Sequence, residues 1–442
     1  MVLLRSRTFA TSCLEKKTVD VSFSDGLVAK YPRLRGRAHI AIMRCQCHWR
    51  PAACSSTFVG MNFGRIGNVV LVACVAAVGV VSATAAVAAS ASTYSQSAPL
   101  TPRWQWDPNY GYCGEVSMIV AGMRVGQYTS QWTARSLAAP RINQTLEASQ
   151  LLIGTSPPDG NAVTAAAGMR LNLLSYDSAN GASTPAYLAW VKQHFLAGNT
   201  VIIGVLNNVN MLGEYPPGDT EYDHIVPVMG IGSDQPFTAE NAATYFPTDT
   251  LTISDNGLYV PRGKNVPGNS SGNPRGSSLY TYPFAEFQKT RAQANKGRGA
   301  NSLYSVAMAT GTSLGNYAVA VTGVTDNSPG GPFVVPVTLE STAKDEGFPI
   351  ADPMAKPPAA KRTTITATVA LPDATQAYRL YQYTRFSVVP RGSFNAAAAA
   401  RPADVARSWD IPAGSGSTFT VQLQNVSTAG TYVFRAVPVS AP

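Results

Sequence analysis

Past residue 91 this chain has one cysteine, two histidines and few charges. Cys13, Cys45, Cys47, Cys54 and Cys74 all precede that point, so Cys113 alone remains. A single thiol excludes an internal disulfide framework. One Cys with two separated histidines, His194 and His224, is not a usual zinc ligand set, so neither metal nor cofactor is expected. Positive charge is also scarce there. The formal net charge is +9, but residues 1–91 carry 11 of the 34 Lys and Arg and only 3 of the 25 Asp and Glu. The remaining 351 residues hold 23 basic against 22 acidic side chains, a net charge of +1. A near-neutral surface without a basic stripe gives no counterion-release footprint, so nucleic acid is not an expected partner.

What the first 91 residues do have is the pattern of a secretory leader. Arg65 opens a short basic start, Val69–Val81 is apolar, and Ala86-Val87-Ala88 and Ala89-Ser90-Ala91 resemble cleavage sites. Residues 61–91 are therefore expected to be a signal peptide, and residues 1–60, Arg-rich and without periodicity, a mis-assigned or disordered extension. The alternative is a membrane anchor, since residues 69–89 are uncharged; membrane association follows only if that segment is retained. A secreted glycoprotein is the expectation. The sequons at Asn143, Asn269 and Asn425 agree with it.

Residues 92–442 are enough for two domains. From Cys113, the residues Val116, Ile119, Val120 and Met123 recur at i, i+3, i+4 and i+7, which predicts a helix with Cys113 in its first turn. Ala186–Leu196 reads as a second helix and Val201–Leu206 as a buried strand. His224–Gly232 is a fourth element, a strand whose Pro227 argues for an edge or a bulge. Leu251–Asp255 is another strand, closed by the turn signal Asp255-Asn256-Gly257. This is an α+β layout, assigned to residues 92–312. Residues 313–442 hold short β-type runs: Ala318–Val324, Phe333–Leu339, Thr363–Leu371, Ala377–Phe386, Thr418–Leu423 and Thr431–Val437. Their number and spacing predict a β-sandwich of fibronectin type III or immunoglobulin kind. Low-complexity Ala351–Lys361 and Phe394–Ala403 read as loops.

Only a thiolate attacks carbonyls well, and a free thiol, with a pKa of about 8.5, is mostly protonated at neutral pH. Two devices can activate Cys113: the positive end of the helix that it opens, and a histidine base. His224, at a strand start, is the candidate base; His194, near a helix C-terminus, reads as a charge partner there. Asp255 or Asn256 is placed to fix the imidazole tautomer. An oxyanion needs a side-chain donor besides the Cys113 amide, for which Gln105 and Asn109 are candidates. The alternating acids Asp219, Glu221 and Asp223 read as a solvated loop rather than a calcium site. Trp104, Trp106, Trp132, Tyr110 and Tyr112 could line a cleft or pack a core.

Three stretches in order carry a resemblance: Tyr112-Cys113-Gly114, then Asp223-His224-Ile225-Val226-Pro227-Val228-Met229-Gly230, then Ile253-Ser254-Asp255. Over about residues 100–260 the chain resembles papain-fold cysteine peptidases, and most of all the peptidase C39-like group. It departs from them in two places. The positions six and seven before the cysteine, where the fold's oxyanion Gln stands, are Asp107 and Trp106, and Glu115 replaces a small residue or Pro. The resemblance implies a secreted hydrolase that cleaves peptide or isopeptide amides of a peptide or protein substrate through a Cys-His-Asp triad. The same residues would serve a transglutaminase- or ligase-type acyl transferase, and a catalytically inactive adhesion or binding protein is the rival from another class.

Overall fold

The computed structural model describes residues 92–105, 111–140, 142, 149–154, 160–176, 184–207, 224–256, 279–287, 304–306, 316–325, 334–344, 346 and 360–440. The leader, the sequons at Asn143 and Asn269, the acidic run 219–223, the loop 263–278, Asn109, Trp106 and Tyr110 lie outside these residues. The chain within Thr84–Pro442 is mixed α+β with several antiparallel sheets.

Its largest sheet has eight strands: β1 (Tyr94–Ser97), β3 (Leu171–Ser175), β4 (Thr200–Asn207), β5 (His224–Ser233), β6 (Thr250–Ser254), β7 (Leu279–Pro283), β8 (Tyr304–Val306) and β9 (Ala318–Val324). The order is β3-β9-β4-β5-β6-β7, with β8 on β4 and β1 on β5. Helices cover both faces. Tyr187, Leu188, Val191 and Phe195 of α4 (Thr184–Leu196) share a core with Val201, Ile203, Val205, Val226, Val228 and Ile253. Their neighbours Ile202 and Ile225 join the opposite core, with Met118 of α1 (Cys113–Arg124) and Ala165 of α3 (Ala162–Gly168). Burial on both faces explains why β4 reads as an unbroken apolar run. Each such Ile or Val contributes about 1.5–3 kcal/mol by leaving water.

Pro227 is not at an edge. β5 is internal: β4 pairs with its first half, β1 takes over that edge from Gly230 to Ser233, and β6 lies along the other side. The register with β6 shifts between Val228 and Gly230. This bulge also breaks the expected alternation, because Ile231 packs in the same core as Val226 and Val228.

Two smaller sheets follow. β10 (Val337–Ser341), β11 (Arg362–Ala370) and β14 (Thr418–Ser427) form one; β13 (Arg407–Ile411), β12 (Tyr378–Tyr383), β15 (Tyr432–Pro438) and β2 (Gln127–Tyr128) form the other. Both contribute to one apolar cluster, in which Leu339, Ile365, Ala367, Val369 and Leu423 meet Tyr378, Leu380, Phe434 and Ala436. Two expectations need correction. Ala318–Val324 does not belong with these strands: β9 pairs with β3 and β4. Its run of four buried residues suits a strand internal to the large sheet rather than one with a solvated face. Phe394–Ala403 is not a loop, since Phe394–Ala400 is helix α7 and a 3-10 turn follows. Five consecutive alanines, the best helix formers, outweigh the low-complexity reading.

α2 (Gln131–Ala138) is capped twice. The Ser130 hydroxyl accepts from the Thr133 amide at 3.1 Å, and the Glu346 carboxylate accepts from the Gln131 amide at 2.7 and 2.9 Å. Both satisfy donors that a helix start leaves open. α5 (Ala239–Ala242) and α6 (Phe284–Phe287) are single turns beside the large sheet.

Candidate active site

Three elements converge at one end of the large sheet. α1 begins at Cys113, β5 begins at His224, and β6, antiparallel to β5, ends just before Asp255. The pairing of Val228 with Ile253 brings the residues after β6 back to the level of His224. Cys113 is half-buried, whereas His224 and Asp255 are buried.

His224 Nε2 stands 3.4 Å from Asp255 Oδ1, an ion-pair separation longer than a good hydrogen bond. Burial would lower the imidazole's pKa. The neighbouring Asp255 carboxylate and the Cys113 sulfur oppose it and lift the value to about 9. The imidazole thus lies beside the Asp255 carboxylate, and Cys113 at the start of α1 is close enough to raise its pKa as well.

The helix start is fixed by backbone geometry. Gly111 has a φ of +63°, in the left-handed region that glycine tolerates. Gly114 meets the Leu151 carbonyl so closely that a Cβ there would sit 2.0 Å from its oxygen. Glycine after Cys113 is therefore a packing requirement. Glu115 does not face the thiol as an uncompensated charge. Its Oε1 accepts from Arg135 Nε at 2.6 Å and from the Leu151 amide at 3.0 Å, and Arg135 also donates to the Gly111 carbonyl at 2.7 Å. The Arg135 guanidinium lies 3.5 Å over the Tyr112 ring, so Tyr112 is a buried packing residue rather than a cleft wall. Burial raises the Glu115 pKa, and the Arg135 charge works against that rise.

Asn256 is not placed as Asp255 is. Its Nδ2 donates toward the Cys113 carbonyl at 3.1 Å, Ser117 Oγ at 3.2 Å and the Ile225 carbonyl at 3.1 Å. Ser117 Oγ in turn donates to the Cys113 carbonyl at 2.8 Å. The amide ties the first turn of α1 to the first residues of β5, holding the sulfur and imidazole elements in register, while Asp255 takes the contact with the ring.

Gln105 is brought to the same place. Its buried backbone amide donates to the Asn256 carbonyl at 2.7 Å. The residues before it are held by the C-terminal part of the chain: the Trp104 amide donates to Lys344 O at 3.0 Å and Arg103 Nη1 to Ala343 O at 2.9 Å. Gln131 Nε2 reaches the Trp104 carbonyl at 3.0 Å. His194, by contrast, lies near the end of α4. It packs against Trp190, with ring centroids 4.3 Å apart, and burial lowers its pKa.

Sequence reasoning missed Ser117, Arg135 and the 343–346 clamp. Ser117 was findable, because i+4 from Cys113 puts it on the same helix face. Nothing in the sequence links Glu115 to Arg135 or Trp104 to Lys344. Among the described residues no group of three or more His, Cys, Asp or Glu side chains could hold a metal ion, and no helix is long and apolar enough to cross a membrane. Family models, curated proteins and solved structures gave no match to this chain.

Proposed function

We propose that the chain is a secreted, thiol-dependent hydrolase that cleaves peptide or isopeptide amides. The observation that carries this reading is the buried imidazole of His224, 3.4 Å from the Asp255 carboxylate and raised in pKa by Asp255 and Cys113 together, with Cys113 half-buried at a helix start. In the reaction, His224 takes the thiol proton and the Cys113 sulfur attacks the amide carbonyl. The Cys113 backbone amide and Gln105 stabilise the oxyanion. His224 then protonates the leaving amine, and water, deprotonated by His224, resolves the thioester to release acid and free thiol. Asp255 orients the ring and stabilises its cationic form, and Asn256 holds the two halves of the site in register. A thiol-bearing helix packed on an antiparallel sheet with His and Asp at adjacent strand ends supports a papain-like domain. The two C-terminal sheets that share one core support a β-sandwich behind it.

An electrophilic peptidyl epoxide and a peptide library test the reading together. The epoxide is expected to modify native Cys113 and not His224→Ala, and the library to yield cleaved peptides with wild type and none with Cys113→Ala. An inert thiol in the native protein sinks the proposal in favour of a binding protein. Products that incorporate an added primary amine reassign it to a transferase.

A further inference from the structure

A cleft of about 1030 Å³ lies apart from the triad, and none of Cys113, His224, Asp255, Asn256 or Gln105 lines it. Four arginines do: Arg170, Arg385, Arg391 and Arg401. No acidic side chain is among the described residues of its wall. On a unit with a net charge near zero, this is a local concentration of one sign.

The cleft is built rather than incidental. Arg170, which joins α3 to β3, adopts a φ of +59°, unusual for a side chain with a Cβ. Its carbonyl accepts from the Thr325 amide at 3.0 Å. Its guanidinium donates to the carbonyls of Val389 and, at 2.8 Å, Pro390. One half-buried arginine thus pins the 384–391 segment, which presents Arg385 and Arg391, both exposed, into the opening. Arg401 enters from the end of α7, with Asp404 3.5 Å away as a partial counter-charge. The exposed hydroxyls of Thr384 and Ser387 stand on the same wall.

Arg385, Arg391 and the hydroxyls of Thr384 and Ser387 along one segment, with Arg401 from the end of α7, offer several donors on one wall, which suits tetrahedral oxyanions, whose oxygens accept from several directions at once. The volume is at the upper end for a single small ligand, which favours an oligomer. The one aromatic side chain of the wall, Phe386, is buried, so among the described residues there is no platform for stacking bases. We propose that this cleft binds an anionic glycan, an oligosaccharide carrying sulfate or phosphate esters. Such a site would tether the protein to a charged extracellular polymer, and it does not depend on the triad being active.

Binding of size-defined sulfated and phosphorylated dextran oligomers to the full chain tests it, beside neutral dextran, oligoglutamate and a single-stranded thymidine oligomer. Both charged dextrans are expected to bind at least about tenfold more tightly than the other three, and more weakly as salt rises. Arg385→Gln with Arg391→Gln should weaken that binding about tenfold and Arg401→Gln about threefold, while Arg362→Gln on β11 leaves it unchanged. The arginines exchanged are exposed, and circular dichroism checks that each variant stays folded. Binding that survives both cleft variants overturns the proposal. So does wild type that prefers oligoglutamate or the thymidine oligomer, or that ignores charge altogether. If one charged dextran binds and the other does not, the ester chemistry narrows to that one.

Discussion

β5 and β11 are strands of nearly equal length, ten and nine residues, with opposite surroundings. Every residue of β5 is buried, whereas β11 alternates, with Thr363, Ile365, Ala367 and Val369 inward and their neighbours at least partly open to water. The difference shows where chemistry can be built in this molecule. A strand covered on both faces can hold a histidine rigidly against partners from a helix and from a neighbouring strand, at the expense of having to satisfy every polar group around it. A strand with one solvated face needs only a stripe of apolar side chains. Buried polar groups accordingly stand at both ends of β5: His224 with Asp255 and Asn256 at its start, and Ser233, whose hydroxyl donates to the Asp249 carboxylate, at its end.

That contrast can be broken deliberately. The largest expected effect is on catalysis: Cys113→Ala should lower amide hydrolysis by about 10⁴-fold while leaving the fold intact, since a half-exposed thiol carries little packing. Equal turnover of the variant would remove Cys113 from the mechanism. Next comes Glu115→Gln, which strands the Arg135 charge in the interior and should cost about 3–5 kcal/mol in a urea unfolding experiment. A loss below about 1 kcal/mol would mean the pair is not buried in solution. Asn256→Ala should cost about 2 kcal/mol, because the amide that ties the first turn of α1 to the start of β5 is lost from the interior, and should lower kcat more than it raises KM as the sulfur and imidazole drift out of register. Were kcat unchanged, Asn256 would be structural only. The smallest effect belongs to the C-terminal region: Ala396→Gly, exposed on α7, should cost about 1 kcal/mol with no change in turnover. No measurable cost would argue against the helix.

The legible parts of this fold were those where one physical rule acts alone. Val116, Ile119, Val120 and Met123 followed helical spacing, and all four are buried. The order of Cys113, His224 and Asp255 could be read because each stands at the end of an element with its own pattern. Where two rules compete, the sequence misled. Pro227 suggested an edge or a bulge; the edge is not found, but a bulge stands beside it, and with a change of partner strand it accommodates the proline inside the sheet. The alanines of α7 resembled filler until propensity decided. Ala318–Val324 resembled the strands that follow it, since a short apolar run does not say which sheet it joins. The roles of Asp255 and Asn256 could not be separated, because a one-residue difference at a strand end depends on how the chain turns there. The effect of Glu115 on the thiol could not be read from the sequence, because its partner, Arg135, is twenty positions away and related to it only through packing.

The central claim is that His224 and Cys113 act as one unit. The rate of iodoacetamide alkylation of Cys113, followed from pH 5 to pH 10 in wild type and in His224→Ala, tests it most directly. With the imidazole's pKa raised to about 9, the wild-type rate should change as the pH passes about 9. The variant should be about tenfold slower at pH 6–7 and lack the upper transition. Two coincident profiles would show that the imidazole does not act on the sulfur, and would contradict the account.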